Sequence, residues 1–226
     1  MVLMATRTQR AERRTDALSR ERIVGAAIEI LDADGEGALT FRALTARLAT
    51  GSGAIYYHVA SKDDLLAATT NDVIARVMTD VASGAEPREV IRAIALGAFD
   101  AIDAHPWVGA QLSREPWQSA VLQILEGFGG QLQALGVPER AQFDCASALV
   151  NYVLGLAGQY AAGARLVPHG TDRSAFLATV AAQWVQLDPA EYPFVQQVAT
   201  QLPEHDDRGQ FLAGIDLILA GIGTVR

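Results

Sequence analysis

A short stretch of the sequence concentrates side chains that can donate hydrogen bonds to phosphate oxygens. Tyr56, Tyr57 and His58 follow one another, Ser52 stands shortly before them, and Lys62 adds a positive charge shortly after. Hydroxyl, imidazole and ammonium groups are common donors to a nucleic-acid backbone. An isolated tyrosine is about as often part of a hydrophobic core. The combination favours a surface that contacts phosphate groups.

The flanking residues predict two short helices separated by a tight turn. Thr40 can cap the first helix, and glycine and small polar residues over 49–53 interrupt the helical pattern before the second. Two helices of this length across such a turn have the dimensions of a DNA-binding helix-turn-helix. The apolar residues of the two helices recur at intervals of three or four positions: Phe41, Leu44 and Leu48, then Ile55 and Val59.

This stretch resembles the signature of the TetR family of transcriptional regulators. The resemblance rests on residues 39–44 (LTFRAL), 53–59 (GAIYYHV) and 62–66 (KDDLL), and it extends upstream to Arg22. Family members usually carry glycine and then valine after the leucine that ends the first of these two helices, where this chain has Ala49 and Thr50 after Leu48. The resemblance implies an all-α fold with an N-terminal three-helix DNA-binding domain, followed by a helical domain for ligand binding and dimerisation.

The expected DNA contacts lie on and beside the second helix of this motif. Phosphate anchoring is favoured over base reading for Tyr57, His58 and Lys62. The residues predicted to contact DNA are Arg42, Ser52, Gly53, Ala54, Tyr56, Tyr57, His58 and Lys62.

Charge is distributed unevenly along the chain. The net charge is −8, yet residues 1–62 carry nine Lys and Arg against seven Asp and Glu, while the remainder is acidic. Within residues 1–22 there are six arginines and three acidic residues. The positive charge therefore lies beside the helix-turn-helix, where duplex phosphates would attract it.

Helix and turn signals divide the chain into three parts. Residues 1–18 are basic without an apolar period, which predicts a flexible arm. Residues 19–66 form the predicted helix-turn-helix domain, and a linker helix over 62–82 leads into a helical domain over 67–226. Further helices are predicted over about 87–105, 121–136, 138–164, 172–187, 194–202 and 208–223, with a short piece near Leu112, because proline or glycine punctuates the pattern between them.

The C-terminal helices also predict self-association. Hydrophobic residues make up 50% of the chain, which is high for a monomer. The apolar stripe of the 208–223 helix is wider than one neighbouring helix needs. We therefore expect a homodimer through helices near 138–164 and 208–223, the alternative being a core helix of a monomer.

Several classes of protein find no support in the sequence. No Gly-rich phosphate loop, nucleophile elbow or paired metal-ligand motif occurs, and the four histidines are scattered. We therefore expect no enzyme activity, no cofactor and no metal. No segment resembles a membrane span or a secretory signal, and the single cysteine, Cys145, suits a reducing interior. A cytoplasmic protein is expected.

The family resemblance further implies a small-molecule pocket in the C-terminal domain. Residues 192–193 and 211–219 also resemble the tetracycline-repressor branch, although no tetracycline or magnesium site is inferred. Aromatic and polar side chains that are unusual in a helical core are the candidates for the pocket, although packing or a surface position is the alternative for each. The predicted ligand-binding residues are His105, Trp107, Gln111, Trp117, Asn151, Tyr152, Gln159, Tyr160 and Trp184.

These features predict a repressor that binds a palindromic double-stranded operator as a homodimer. A hydrophobic or amphipathic effector would release it by favouring a dimer whose DNA-binding domains are wrongly spaced. Three alternatives stay open: a transcriptional activator, a small-molecule-binding protein whose helix-turn-helix contacts other proteins, and a helical enzyme that uses the apolar pocket.

Overall fold

The computed structural model describes residues 18–81, 85–114, 118–166 and 172–225, which form eleven α-helices, one 3-10 turn (Leu202–Glu204) and no strand. The predicted all-α fold is confirmed. Trp117 and nearly all of the predicted basic arm over residues 1–18 lie outside the described residues. The helices are α1 (Arg20–Asp34), α2 (Phe41–Leu48), α3 (Ser52–His58), α4 (Lys62–Asp80), α5 (Pro87–Ala104), α6 (Pro106–Arg114), α7 (Ser119–Ala134), α8 (Glu139–Leu166), α9 (Arg173–Val185), α10 (Pro193–Ala199) and α11 (Asp207–Ile222).

Side-chain caps fix the starts of three N-terminal helices. Ser19, Thr40 and Ser61 precede α1, α2 and α4, and each hydroxyl accepts a hydrogen bond from a backbone N–H within the first turn. Asp64, three residues after the Ser61 cap, adds a further hydrogen bond, because its carboxylate accepts from the N–H of Ala60 at 3.0 Å. Such caps satisfy amides that have no partner inside the helix. Local chemistry therefore explains where these helices start.

The turn between α2 and α3 contains a strained residue. Ala49 has φ 50° and ψ 46°, the left-handed conformation that an L residue with a Cβ atom adopts at a cost. The N–H groups of Ala49 and Thr50 both donate to the carbonyl of Thr45, which closes the end of α2. This is the position at which the sequence resemblance anticipates glycine. The backbone of the turn is thus the one that glycine favours, although alanine occupies it.

The long helix α4 joins the two domains. Leu65 and Leu66 in its first turns are 1% and 2% exposed and pack in the N-terminal core. Further along, Val73 and Ile74 are buried in the same continuous cluster, where α4 packs against α5 and α7. The first turns of α4 therefore belong to the N-terminal domain, and the rest of this helix packs in the C-terminal domain.

The C-terminal domain is arranged around α5, which packs against α4, α6, α7, α8 and α11. Ile94, Ala98 and Ile102 form its buried face and are at most 1% exposed. Two ion pairs attach α11 to α5: Arg92 to Asp216 at 2.6 Å and Arg208 to Asp100 at 2.8 Å. Among the described residues, no helix is both long and apolar enough to span a membrane.

Candidate functional site

Helix α3 is anchored by buried side chains on one side and exposes the other to solvent. Ile55 and Val59 are 0% and 1% exposed and belong to the core, whereas Tyr57 is 86% exposed and Tyr56 is 53% exposed. Burying an aromatic ring is normally favourable. Rings left this exposed on a firmly anchored helix are therefore available to a partner molecule.

Ring contacts hold the aromatic side chains of α3 in position. Phe41 of α2 stacks on Tyr56, with ring centroids 4.4 Å apart and planes inclined by 15°. Tyr57 meets His58 edge to face, with centroids 5.1 Å apart. Side chains that are already ordered lose less conformational entropy when they bind. The arrangement suits a contact surface that is prepared in advance.

The other predicted DNA-contacting residues differ in their surroundings. Ser52, Gly53 and Ala54 form the exposed first turn of α3, and Arg42 is exposed on α2. Lys62 instead begins α4, and its partly buried ammonium group donates to the backbone carbonyl of Glu36 at 2.7 Å. Six of the eight predicted residues therefore lie on α3. The side chain of Lys62, at the start of α4, is bonded to the loop that follows α1.

A second candidate site is a cavity of about 980 Å³ in the C-terminal domain, bordered mainly by α8, α9 and α11. This volume is at the upper end of the range for small-molecule sites. Asn151, Tyr152 and Gln159, which were predicted to bind a ligand, line it from α8. The other lining residues are Asp103, Pro106, Gly155, Leu156, Gly163, Arg173, Phe176, Asp207, Gln210, Phe211, Ala213, Gly214 and Leu217.

Tyr152 gives this cavity an aromatic wall. Its ring stacks on Phe211 of α11, with centroids 5.1 Å apart and planes inclined by 14°. A Cβ atom at residue 214 would overlap the Tyr152 hydroxyl group, so Gly214 is required for this position of the ring. Burial raises the pKa of the Tyr152 phenol above its ordinary value. The Tyr152 hydroxyl group in the cavity wall is therefore neutral at physiological pH.

Charged groups lie at one end of the cavity. Arg173 of α9 forms an ion pair with Asp207 at the start of α11, and the His205 ring lies 3.4 Å from the same carboxylate. The His205 ring also contacts the amide oxygen of Gln210 at 2.9 Å. Asp103 lines the cavity from α5. The cavity thus combines aromatic and aliphatic walls with several hydrogen-bonding groups, which suits an amphipathic ligand.

The structure places several predicted ligand-binding residues elsewhere. His105, Trp107 and Gln111 are not among the cavity-lining residues, and each bonds to an acidic residue of the N-terminal domain. Trp184 is half-buried in α9 without lining the cavity. The side chain of Tyr160, like the whole of Trp117, lies outside the described part of the structure.

Sequence reasoning missed much of the cavity wall. Phe176, Phe211 and Leu217 line it, but in the sequence they are ordinary members of apolar helical patterns. Arg173 and Asp207 were not predicted to bind a ligand either, since they are 34 positions apart and pair only in the folded chain. No local signal distinguishes such residues from core or surface positions. Across the described ranges, no group of three or more His, Cys, Asp or Glu side chains could hold a metal ion.

Comparison with known proteins agrees with this architecture. The profile of "Bacterial regulatory proteins, tetR family" matches residues 23–69, and that of "Tetracyclin repressor-like, C-terminal domain" matches residues 85–226. A curated "HTH-type transcriptional regulator" from Saccharopolyspora erythraea is 29% identical over 221 residues, which cover 96% of this chain and 90% of that protein.

Solved structures show the same fold. A TetR transcriptional regulator from Streptomyces coelicolor is 52% identical, with a TM-score of 0.80 over 91% of this chain and 98% of that one. The BioQ protein in complex with its double-stranded DNA operator is 26% identical, with a TM-score of 0.61 over 92% of this chain and 99% of that one. ActR from Streptomyces coelicolor in complex with actinorhodin shares the fold at 23% identity, with a TM-score of 0.72 over 91% and 95% of the two chains.

The predicted family is thus confirmed in both domains, and with it a role in transcription regulation through a DNA-binding helix-turn-helix. The two profiles together account for most of the chain, and the second alone matches more than half of it. This protein belongs to the TetR family of bacterial transcriptional regulators.

Proposed function

We propose that this protein is a homodimeric repressor that binds a palindromic operator and is released by a hydrophobic or amphipathic small molecule. The observation that carries the proposal is the anchored, exposed outer face of α3, where Tyr57 is 86% exposed. The helix has the position and length of a recognition helix in a helix-turn-helix. It would act on chromosomal DNA in the cytoplasm.

The proposed DNA contact divides into two roles. Ser52, Gly53 and Ala54, with small side chains in the exposed first turn of α3, would allow the helix to approach base edges closely. Tyr57 and His58 at the other end would donate to phosphate oxygens. The solved BioQ complex with operator DNA supports a duplex as the partner, since that protein shares this fold.

The proposed dimer uses apolar side chains that the isolated chain leaves in water. Phe143 of α8 is 69% exposed and Leu217 of α11 is 76% exposed. These two helices are the ones whose sequence patterns favour self-association. Covering such large apolar side chains with a second copy would be favourable. A dimer would also present two copies of α3, as two half-sites about 34 Å apart require.

The proposed effector site is the cavity bordered by α8, α9 and α11. Stacked Tyr152 and Phe211 offer a flat apolar wall, while Asn151 and Gln159 offer amide groups. The ActR complex with actinorhodin supports ligand binding in this fold. Repression would be relieved if a ligand favoured a dimer with a different separation of the two α3 helices, by a few kcal/mol of differential affinity.

The decisive experiment is a fluorescence-anisotropy titration with duplexes from the DNA that flanks the protein's own coding region. We expect tight binding to one palindromic duplex, and about one unit of slope in log affinity against log salt for each phosphate contact. The control duplex has one half-site scrambled. Absence of specific binding at both low and high salt would instead favour the alternative in which the motif contacts another protein.

The identified duplex can then report on effectors. Compounds with aromatic rings and hydrogen-bonding groups are added to the complex, and release of the labelled DNA is measured. The matched control is the variant Gln159→Leu, which removes an amide from the cavity wall without touching α3. A reporter gene placed behind the same operator distinguishes repression from activation, since the two predict opposite changes in expression.

A further inference from the structure

Two acidic residues of the N-terminal domain are bonded to the C-terminal domain. Asp32 lies in the last turn of α1. One oxygen of its carboxylate accepts a hydrogen bond from the Trp107 indole N–H at 2.7 Å and lies 2.7 Å from Nδ1 of His105. His105 is the residue between α5 and α6, and Trp107 lies in the first turn of α6. A single carboxylate thus joins α1 to the C-terminal domain.

Glu36 forms the second connection, four residues further along. Its carboxylate accepts from Gln111 Nε2 at 3.1 Å and from both terminal nitrogens of Arg114 at 3.2 and 3.1 Å. Gly35, with φ 75° and ψ 179°, takes a backbone conformation that is almost restricted to glycine, and this turn sets the direction of the next residue. Lys62 donates to the carbonyl of Glu36, so the loop is also bonded to α4.

The position of Asp32 in the last turn is costly for α1 itself. The carboxyl end of a helix carries partial negative charge, which disfavours acidic side chains in its last turn. On the other side of the contact, Trp107 and Gln111 are only 8% and 7% exposed. Buried polar groups need partners, and here the partners come from the other domain. The arrangement is therefore explained by the contact between domains and not by the stability of either helix alone.

Helix α6 also contacts the wall of the cavity. Gly109 lies so close to α8 that an added Cβ atom would be 2.7 Å from the carbonyl oxygen of Ala157. Pro106, at the start of α6, lines the cavity. Because packed helices shift as rigid units, a displacement of α8 by a ligand would be passed to α6 and from there to Asp32 and Glu36.

We propose that Asp32 and Glu36 are positioning residues that fix the orientation of the DNA-binding domain through α6. This interdomain cluster comprises Asp32 and Glu36 with His105, Trp107, Gln111 and Arg114. It acts on the separation of the two α3 helices in the dimer, and it is a route from the cavity to α3 that does not require α4. The inference rests on the proposed function, because operator binding is its readout.

The test measures how strictly the protein requires one separation of the operator half-sites. Affinities are determined for a series of duplexes in which the half-sites are moved apart by single base pairs. Wild-type protein should prefer one spacing strongly. Asp32→Ala removes both hydrogen bonds to that carboxylate and should reduce this preference by about fivefold or more, the size of an ordinary coupling between sites.

Three further variants separate a positioning role from a general loss of structure. Trp107→Phe keeps an aromatic ring but removes the indole N–H together with part of the ring volume, and it should reduce the spacing preference in the same direction. The double variant should be no worse than Asp32→Ala, because the bond that Trp107→Phe breaks is already absent in Asp32→Ala. The control is Asp34→Ala, which removes a carboxylate from the same turn of α1. Asp34 has no hydrogen-bond or ion-pair partner among the described residues. This variant should keep the wild-type spacing preference.

The possible failures are distinguishable. No specific binding by the wild-type protein would overturn the proposed function itself. Specific wild-type binding with a spacing preference that stays within twofold in both Asp32→Ala and Trp107→Phe would overturn the inference alone. If Asp32→Ala fails to fold, as judged by circular dichroism, Trp107→Phe decides the question by the same criterion.

Discussion

The two candidate sites are built in opposite ways. The proposed DNA surface occupies one short helix, in which six predicted residues lie between Ser52 and His58. The cavity draws its wall from residues between Asp103 and Leu217, which come together only when five helices pack. A surface on one helix depends on a few local anchors, whereas a cavity depends on the whole core. The DNA surface should therefore tolerate substitution of its exposed residues without loss of stability. Substitutions in the wall of the cavity should lower the stability of the fold.

The strongest test of this contrast is Gly214→Ala. The new Cβ atom would overlap the Tyr152 hydroxyl group and force the ring off Phe211. We expect a loss of about 2 kcal/mol in the free energy of unfolding, seen as a decrease of roughly 4–8 °C in Tm. Gly221→Ala is the control on the same helix, since nothing lies within 4 Å of its added Cβ atom. Equal Tm values for the two variants would contradict the account of the cavity wall.

Tyr57→Ala tests the other side of the contrast. Because the ring is 86% exposed, the variant should keep the wild-type Tm. Operator affinity, measured by anisotropy, should fall about tenfold or more, equivalent to roughly 1.4 kcal/mol. Tyr192→Ala is the control, since that ring is also 45% exposed but lies far along the chain in the C-terminal domain. Affinities within twofold of each other would remove Tyr57 from the contact surface.

Ala49→Gly measures the strain within the N-terminal domain. Residue 49 has φ 50°, which glycine adopts without the steric cost that alanine incurs. The free energy of unfolding should rise by about 1 kcal/mol, as measured by thermal or urea unfolding. Ala46→Gly, in the exposed part of α2, should lower it by a similar amount because glycine disfavours a helix. A decrease in both variants would mean that the turn is not strained.

The smallest expected effect concerns Tyr152 at alkaline pH. Burial raises the pKa of this phenol above the ordinary 10.0, so it stays neutral when exposed tyrosines ionise. The raised pKa of Tyr152 stabilises the folded protein relative to the unfolded chain. This stabilisation is fully present below the ordinary pKa of tyrosine and is lost as the pH rises through the raised pKa of the folded state. Ultraviolet absorbance should show a late titration step that Tyr152→Phe removes. A wild-type titration in which all five tyrosines ionise together would contradict this.

The outcome for the predicted ligand-binding residues follows from the same difference between local and long-range structure. The sequence marked His105, Trp107 and Gln111 as unusual for a helical core, and they do make specific polar contacts. Their partners, Asp32 and Glu36, lie more than seventy positions earlier in the chain, and periodicity cannot reveal such a pair. Asn151, Tyr152 and Gln159 line the cavity because they share one face of α8.

The sequence alone determined the helices, their caps and the helix-turn-helix, because hydroxyl caps, glycines and apolar spacing act over a few residues. It also determined the family, whose motif is contiguous. Tertiary structure alone decided which side chains line the cavity, which ones join the two domains, and that Lys62 bonds to the carbonyl of Glu36. These relations depend on how rigid helices pack against one another, and packing is a property of the whole chain.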